Sequence, residues 1–106
     1  MGEEPAYVVL LRVHLRFGDV GSLKGKRAEL NSIKALLRDR MGGSVAEVAH
    51  QDAWQRSTLA VAFAAGSVSR CHQAADAVQR ALDARLAHGA RIERRVASWG
   101  DLEDVG

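Results

Sequence analysis

Between residues 7 and 17 apolar and polar side chains alternate. Val9, Leu11, Val13, Leu15 and Phe17 fall on one side, with Arg12, His14 and Arg16 on the other. A period of two predicts a strand with one buried face. Gly18-Asp19-Val20-Gly21 reads as a turn. The pattern then becomes helical. Leu30, Ile33, Leu37 and Met41 recur every three or four residues, predicting a helix over 23–41, capped by Ser22 and stopped at Gly42-Gly43. A second strand is predicted over 44–50, with Ala46 and Val48 inward and Glu47 outward. A third covers 57–64, with Leu59, Val61 and Phe63 buried and Thr58, Ala60 and Ala62 outward. Gly66-Ser67 breaks the chain and offers a cap. The stripe Val68, Cys71, Ala75, Val78, Leu82 and Leu86 then predicts a helix over 68–87, with Gly89 at its C′ position. In a last strand over 90–99, Ile92 and Val96 keep phase while Arg94 interrupts them, which an edge strand tolerates because a long side chain can reach water.

The order β-α-β-β-α-β places the chain in the α+β class. It predicts a ferredoxin-like βαββαβ sandwich, a four-stranded antiparallel sheet with two helices on one face and the other face open. Residues 7–99 would form this single domain, residues 1–6 a flexible N-terminus and residues 100–106 an acidic flexible tail.

Composition adds compartment and charge. With 47% hydrophobic and 26% charged residues the chain is an ordinary globular domain, and no run approaches the roughly 20 apolar residues of a membrane span. The N-terminus is acidic where a signal peptide would be basic, and the lone Cys71 cannot build a disulfide framework. A cytoplasmic protein without membrane association is therefore expected. The formal net charge is only +2, yet five of the 13 acids lie at the two ends. All 15 Lys and Arg lie between residues 6 and 99, where they face 8 acids. A basic body of this kind attracts polyanions.

Two segments could carry chemistry. Gly21-Ser22-Leu23-Lys24-Gly25-Lys26-Arg27 resembles a phosphate loop only superficially. Arg27 stands where Ser or Thr is needed, and Val20 stands where the first glycine is needed. What remains is a helix N-terminus with three cations beside it, an arrangement suited to an anion. Lys24, Arg27, Asn31, Lys34 and Arg38 extend it as a stripe that could track a phosphate backbone, the alternative being a solvated helix face. In the second segment His50 and Asp52 could form an acid–base pair. No third ligand is spaced to join them in a metal site, no nucleophile is evident beside them, and Cys71 lies on a core stripe. No metal and no cofactor are expected, and the chain reads as non-catalytic. Trp54 and Arg56 are candidate partner contacts, while His50, Gln51 and Asp52 read as a structural corner. A competing reading has Trp54 closing one end of the core.

Ser22-Leu23-Lys24-Gly25-Lys26-Arg27 together with Val45-Ala46-Glu47-Val48-Ala49-His50-Gln51-Asp52-Ala53-Trp54-Gln55-Arg56 resembles the signature of the YlxP-like family of small bacterial proteins, a domain of unknown function. The resemblance runs from Tyr7 to about Val96. It departs at Gly25, Ala49 and Ala53, where the family often has an acidic or polar residue, Asp and Leu. It implies a ferredoxin-like fold and a gene neighbourhood among translation and ribosome-maturation genes, with no established activity. The leading expectation is an RNA- or ribosome-associated binding protein using Lys24, Lys26, Arg27, Lys34, Arg38, Trp54 and Arg56. The alternatives are a homodimeric interaction module acting through the open sheet, whose outward alanines suit a second copy, and a small enzyme using His50 and Asp52.

Overall fold

The first strand, β1, spans Tyr7–Arg16 and pairs on both sides, antiparallel to β3 (Arg56–Ala65) and to β4 (Arg91–Ser98); β2 (Ser44–Ala49) pairs with β3. The sheet order β2-β3-β1-β4 is that of a ferredoxin-like arrangement, with β2 and β4 at the edges. A computed structural model describes residues 4–18 and 21–103. The predicted turn at Asp19-Val20, residues 1–3 and residues 104–106 lie outside the described residues.

The period-two residues of β1 set the core. Val9, Leu11, Val13 and Leu15 are buried beside Leu59 and Val61 of β3. Two helices cover this face. The first, α1 (Leu23–Ala35), inserts Leu30 and Ile33, and α2 (Val68–Arg85) inserts Cys71, Ala75, Val78 and Leu82. Each buried Leu, Ile or Val contributes roughly 1.5–3 kcal/mol relative to exposure, so the inward rows carry the fold. Both caps form as predicted: the Ser22 hydroxyl accepts from the Gly25 N–H and the Ser67 hydroxyl from the Arg70 N–H, each at 3.1 Å.

Several boundaries differ from the sequence reading. The first helix is α-helical only to Ala35 and continues as a π-helical turn, Leu36–Arg40, in which Met41 N–H donates to Leu36 C=O. Gly42, at φ +80°, ends it, and Gly43 follows because a Cβ there would lie 3.0 Å from Val61 and Phe63 side-chain atoms. The second helix ends at Arg85, so Gly89 (φ +64°) shapes the turn into β4 rather than sitting at C′. Trp99 leaves the last strand and opens a short helix, α3 (Trp99–Glu103), where the sequence predicted a loose tail. Its start is held by Ser98 and Asp101, each donating a backbone N–H to the other's side-chain oxygen. Among the described residues no helix is long and apolar enough to cross a membrane.

The largest correction concerns β2, whose phase is opposite to the prediction. Val45, Glu47 and Ala49 turn toward the helices, while Ala46 and Val48 are exposed. Glu47 tolerates the inward side because cations of α1 meet it there, as described below. An irregularity in the β2–β3 register between Glu47 and Ala49 accompanies the change.

Candidate functional site

The α1 cations largely serve the fold. Lys26, offered above as an RNA contact, is wholly buried. Its ammonium donates to the His50 carbonyl at 2.6 Å and to the Gln51 carbonyl at 3.4 Å. The His50 carbonyl also accepts from the Ala53 N–H, while His50 itself sits at φ 65°, a left-handed conformation uncommon for a residue with a Cβ. The Lys26 ammonium therefore pins a strained corner. Arg27 makes two 2.9 Å bonds to the Glu47 carboxylate, and Lys34 lies 4.0 Å from it. The Glu47 side chain is only 10% exposed, so its pairing is shielded from water. Lys24 remains exposed, and Arg38 is exposed beside Asp39 at 3.6 Å. The predicted contacts thus lose Lys26, and the stripe is partly neutralised at Arg27 and Lys34.

The two segments that carry the family resemblance accordingly touch each other, Lys26 on His50 and Gln51 and Arg27 on Glu47. His50, Gln51 and Asp52 form a structural corner through the main chain. Lys26 holds this corner through the His50 and Gln51 carbonyls, and the His50 and Asp52 side chains do not. Both side chains are exposed, as is Gln51. Trp54 is 51% exposed and does not close the core; Arg56 is exposed as predicted.

A denser cationic surface lies on the open face of the sheet. The registers bring five arginines there: Arg12 and Arg16 from β1, Arg56 from β3, and Arg91 and Arg95 from β4. The strands supply one carboxylate to this face, Glu93. It bonds Arg12 at 3.0 Å and His14 at 2.7 Å, with Arg91 at 3.7 Å. Because ionised Glu93 only accepts, His14 Nε2 donates to it, and in the neutral ring Nδ1 is left to accept from the Thr58 hydroxyl at 3.3 Å. Arg16 and Arg56 stand directly opposite each other, without an ion-pair partner among the described residues. Like charges in directly opposed positions destabilise a sheet. The face is polarised: Val8, Leu10, Ala62 and Ala64 occupy its other end.

Where β1 runs beyond the start of β4, a cleft of about 310 Å³ opens, lined by Arg16, Arg56, Arg91, His14, His50 and His88 and by Ser57 and Thr58. Three histidines that are far apart in sequence thus converge. Among the described residues no three His, Cys, Asp or Glu side chains are arranged to hold a metal ion. The Ser57 hydroxyl is buried with no hydrogen-bond partner among the described residues. A second groove of about 490 Å³ shares Arg16 and Arg56 and adds Trp54, Gln55 and Asp52.

The hydrogen bond from His14, reinforced by Arg12 and Arg91, holds the Glu93 carboxyl below its ordinary value of 4.5. A lowered folded-state pKa gives stability that is complete above the unfolded value and lost as pH falls through the folded one. The stability difference between wild type and Glu93→Gln should therefore hold steady above about pH 4.5 and shrink below it. Urea midpoints of the two proteins running parallel down to about pH 3 would contradict this.

Residues 8–96 match the family model described as a protein of unknown function, DUF503. The chain belongs to that family. A curated relative, the uncharacterized protein YlxP of Bacillus subtilis (strain 168), is 39% identical over 49 residues, which is 46% of this chain and 53% of the relative. The chain therefore spans about half the length of the curated relative it matches. Among solved structures, the de novo designed protein Foldit4 has a TM-score of 0.54 over 87% of this chain and 96% of that chain. At 13% identity this is a likeness of fold alone. In this DUF503 domain, the open-face arginines other than Arg56 are not singled out by the sequence, because they come from different strands and meet only through the register. The alternation of Arg12, His14 and Arg16 was the available signal.

Proposed function

We propose that this DUF503 protein is a non-catalytic RNA- or ribosome-associated binding protein whose contact surface is the cationic end of the open sheet, not the α1 stripe. The observation that carries the reading is the five arginines facing one carboxylate, with Arg16 set against Arg56. A phosphate backbone would relieve that repulsion. Each neutralised phosphate releases counterions, which makes the binding salt-dependent. The outward positions Thr58, Ala60 and Ala62 offer no aromatic platform, so the central strands suit backbone contact rather than base reading. RNA is favoured over other polyanions by the gene neighbourhood that the family resemblance implies.

A non-catalytic reading fits the side chains. Thr58, His14 and Glu93 follow the order of nucleophile, base and orienting acid, with the Thr58 hydroxyl 3.3 Å from His14, but Thr58 is only 5% exposed to a substrate. Cys71 is fully buried. Binding of a labelled single-stranded RNA, followed by fluorescence polarisation, should weaken steadily with added KCl, with a log–log slope of about −0.7 per phosphate contacted. Absence of binding at about 50 mM KCl would overturn the proposal.

The homodimer takes second place. Stacking the whole open face on a second copy would set arginine against arginine, so self-pairing is confined to the end around Leu10, which is 48% exposed. Sedimentation showing a monomer at high micromolar concentration would remove this reading.

A further inference from the structure

We infer that the cleft beside Arg16 and Arg56 receives a terminal phosphate, a phosphate monoester, with the attached nucleotide's base laid on Trp54. This rests on the nucleic-acid reading of the same face and narrows it from any backbone to an end. Three guanidiniums and three imidazoles converge on about 310 Å³, and among the described residues no carboxylate lines that space, Glu93 meeting His14 and Arg91 from beside it. An internal phosphodiester carries a single charge. A terminal phosphate carries about −1.5 to −2 with three free oxygens, a match to several arginine forks at once.

The neighbouring groove sets the direction. It shares Arg16 and Arg56 with the cleft but contains Asp52, whose carboxylate repels phosphate. It also contains Trp54, half exposed, and bases stack on aromatic faces. Phosphate in the first space and base in the second therefore places each group where the charges favour it. The cleft lies at the small end of ligand-binding sites, the size of a nucleotide's polar head rather than a duplex.

The test compares a 5′-phosphorylated ten-nucleotide RNA, a 3′-phosphorylated one, the same sequence with hydroxyl ends, and adenosine monophosphate alone, titrated into the intact protein. One phosphorylated end should bind at least about tenfold tighter than the hydroxyl-ended RNA. His88→Ala, an exposed change in the α2–β4 turn, should erase that preference while the hydroxyl-ended RNA binds as before. Adenosine monophosphate binding as tightly as the preferred RNA, and weakened by Trp54→Ala, would uphold the pocket and assign it to free nucleotides. Equal affinity for phosphorylated and hydroxyl ends, with no binding of the mononucleotide, would overturn the inference and leave backbone binding intact. Failure of every RNA to bind would overturn backbone binding as well.

Discussion

Lys26→Ala is expected to lower the unfolding free energy by about 3 kcal/mol, a large fraction of what a domain of this size has in reserve. Two costs combine. Truncating a fully buried four-carbon stem leaves a cavity beneath α1, and large-to-small core changes cost roughly 2–5 kcal/mol. Removing the ammonium also leaves the His50 and Gln51 carbonyls short of a donor, at about 1–3 kcal/mol where water does not replace it. The carbonyls border an exposed loop, so the second cost sits at the low end. Lys26→Met separates the two, since it keeps most of the volume and should lose only about 1–2 kcal/mol. Urea denaturation measures both. A loss below about 1 kcal/mol for the alanine variant would show that Lys26 does not hold the β2–β3 corner.

The second large effect concerns binding. Arg16→Ala combined with Arg56→Ala should reduce RNA affinity by roughly 10- to 100-fold at moderate salt and make the salt slope shallower by about one to two contacts. The same change removes a like-charged cross-strand pair, so the folded state should be unharmed or slightly stabilised. That pairing of outcomes, weaker binding with intact stability, is what a surface selected for a ligand gives. A structural pair would lose stability instead.

Much of the architecture was legible in the sequence, because β1 and β3 alternate cleanly and both helices carry a continuous apolar stripe. Capping at Ser22 and Ser67 was readable for the same local reason. The β2 phase was not. Its six residues hold only small or moderate apolar groups, and the deciding partner of Glu47 is Arg27 on another element. A carboxylate read alone belongs outside; paired with a guanidinium it can turn inward. The same kind of non-local pairing hid the place of Lys26. Lys26 looked like an exposed cation because its acceptors, two main-chain carbonyls at a left-handed corner, leave no signature in composition. Arg12, Arg16, Arg91 and Arg95 went unremarked as a group because only the sheet order β2-β3-β1-β4 sets β1 beside β4. His14, His50 and His88 lie on two loops and a strand that meet at one end of the sheet.

The deciding measurement is RNA affinity as a function of KCl for two double variants side by side, Arg16→Ala with Arg56→Ala on the sheet and Lys24→Ala with Arg38→Ala on the helix side. Both remove two exposed positive charges, so net charge is matched. The sheet variant should lose affinity and show a shallower salt slope, while the helix variant stays within about threefold of wild type. Equal losses, or a loss confined to the helix variant, would contradict the assignment of the open sheet as the binding surface.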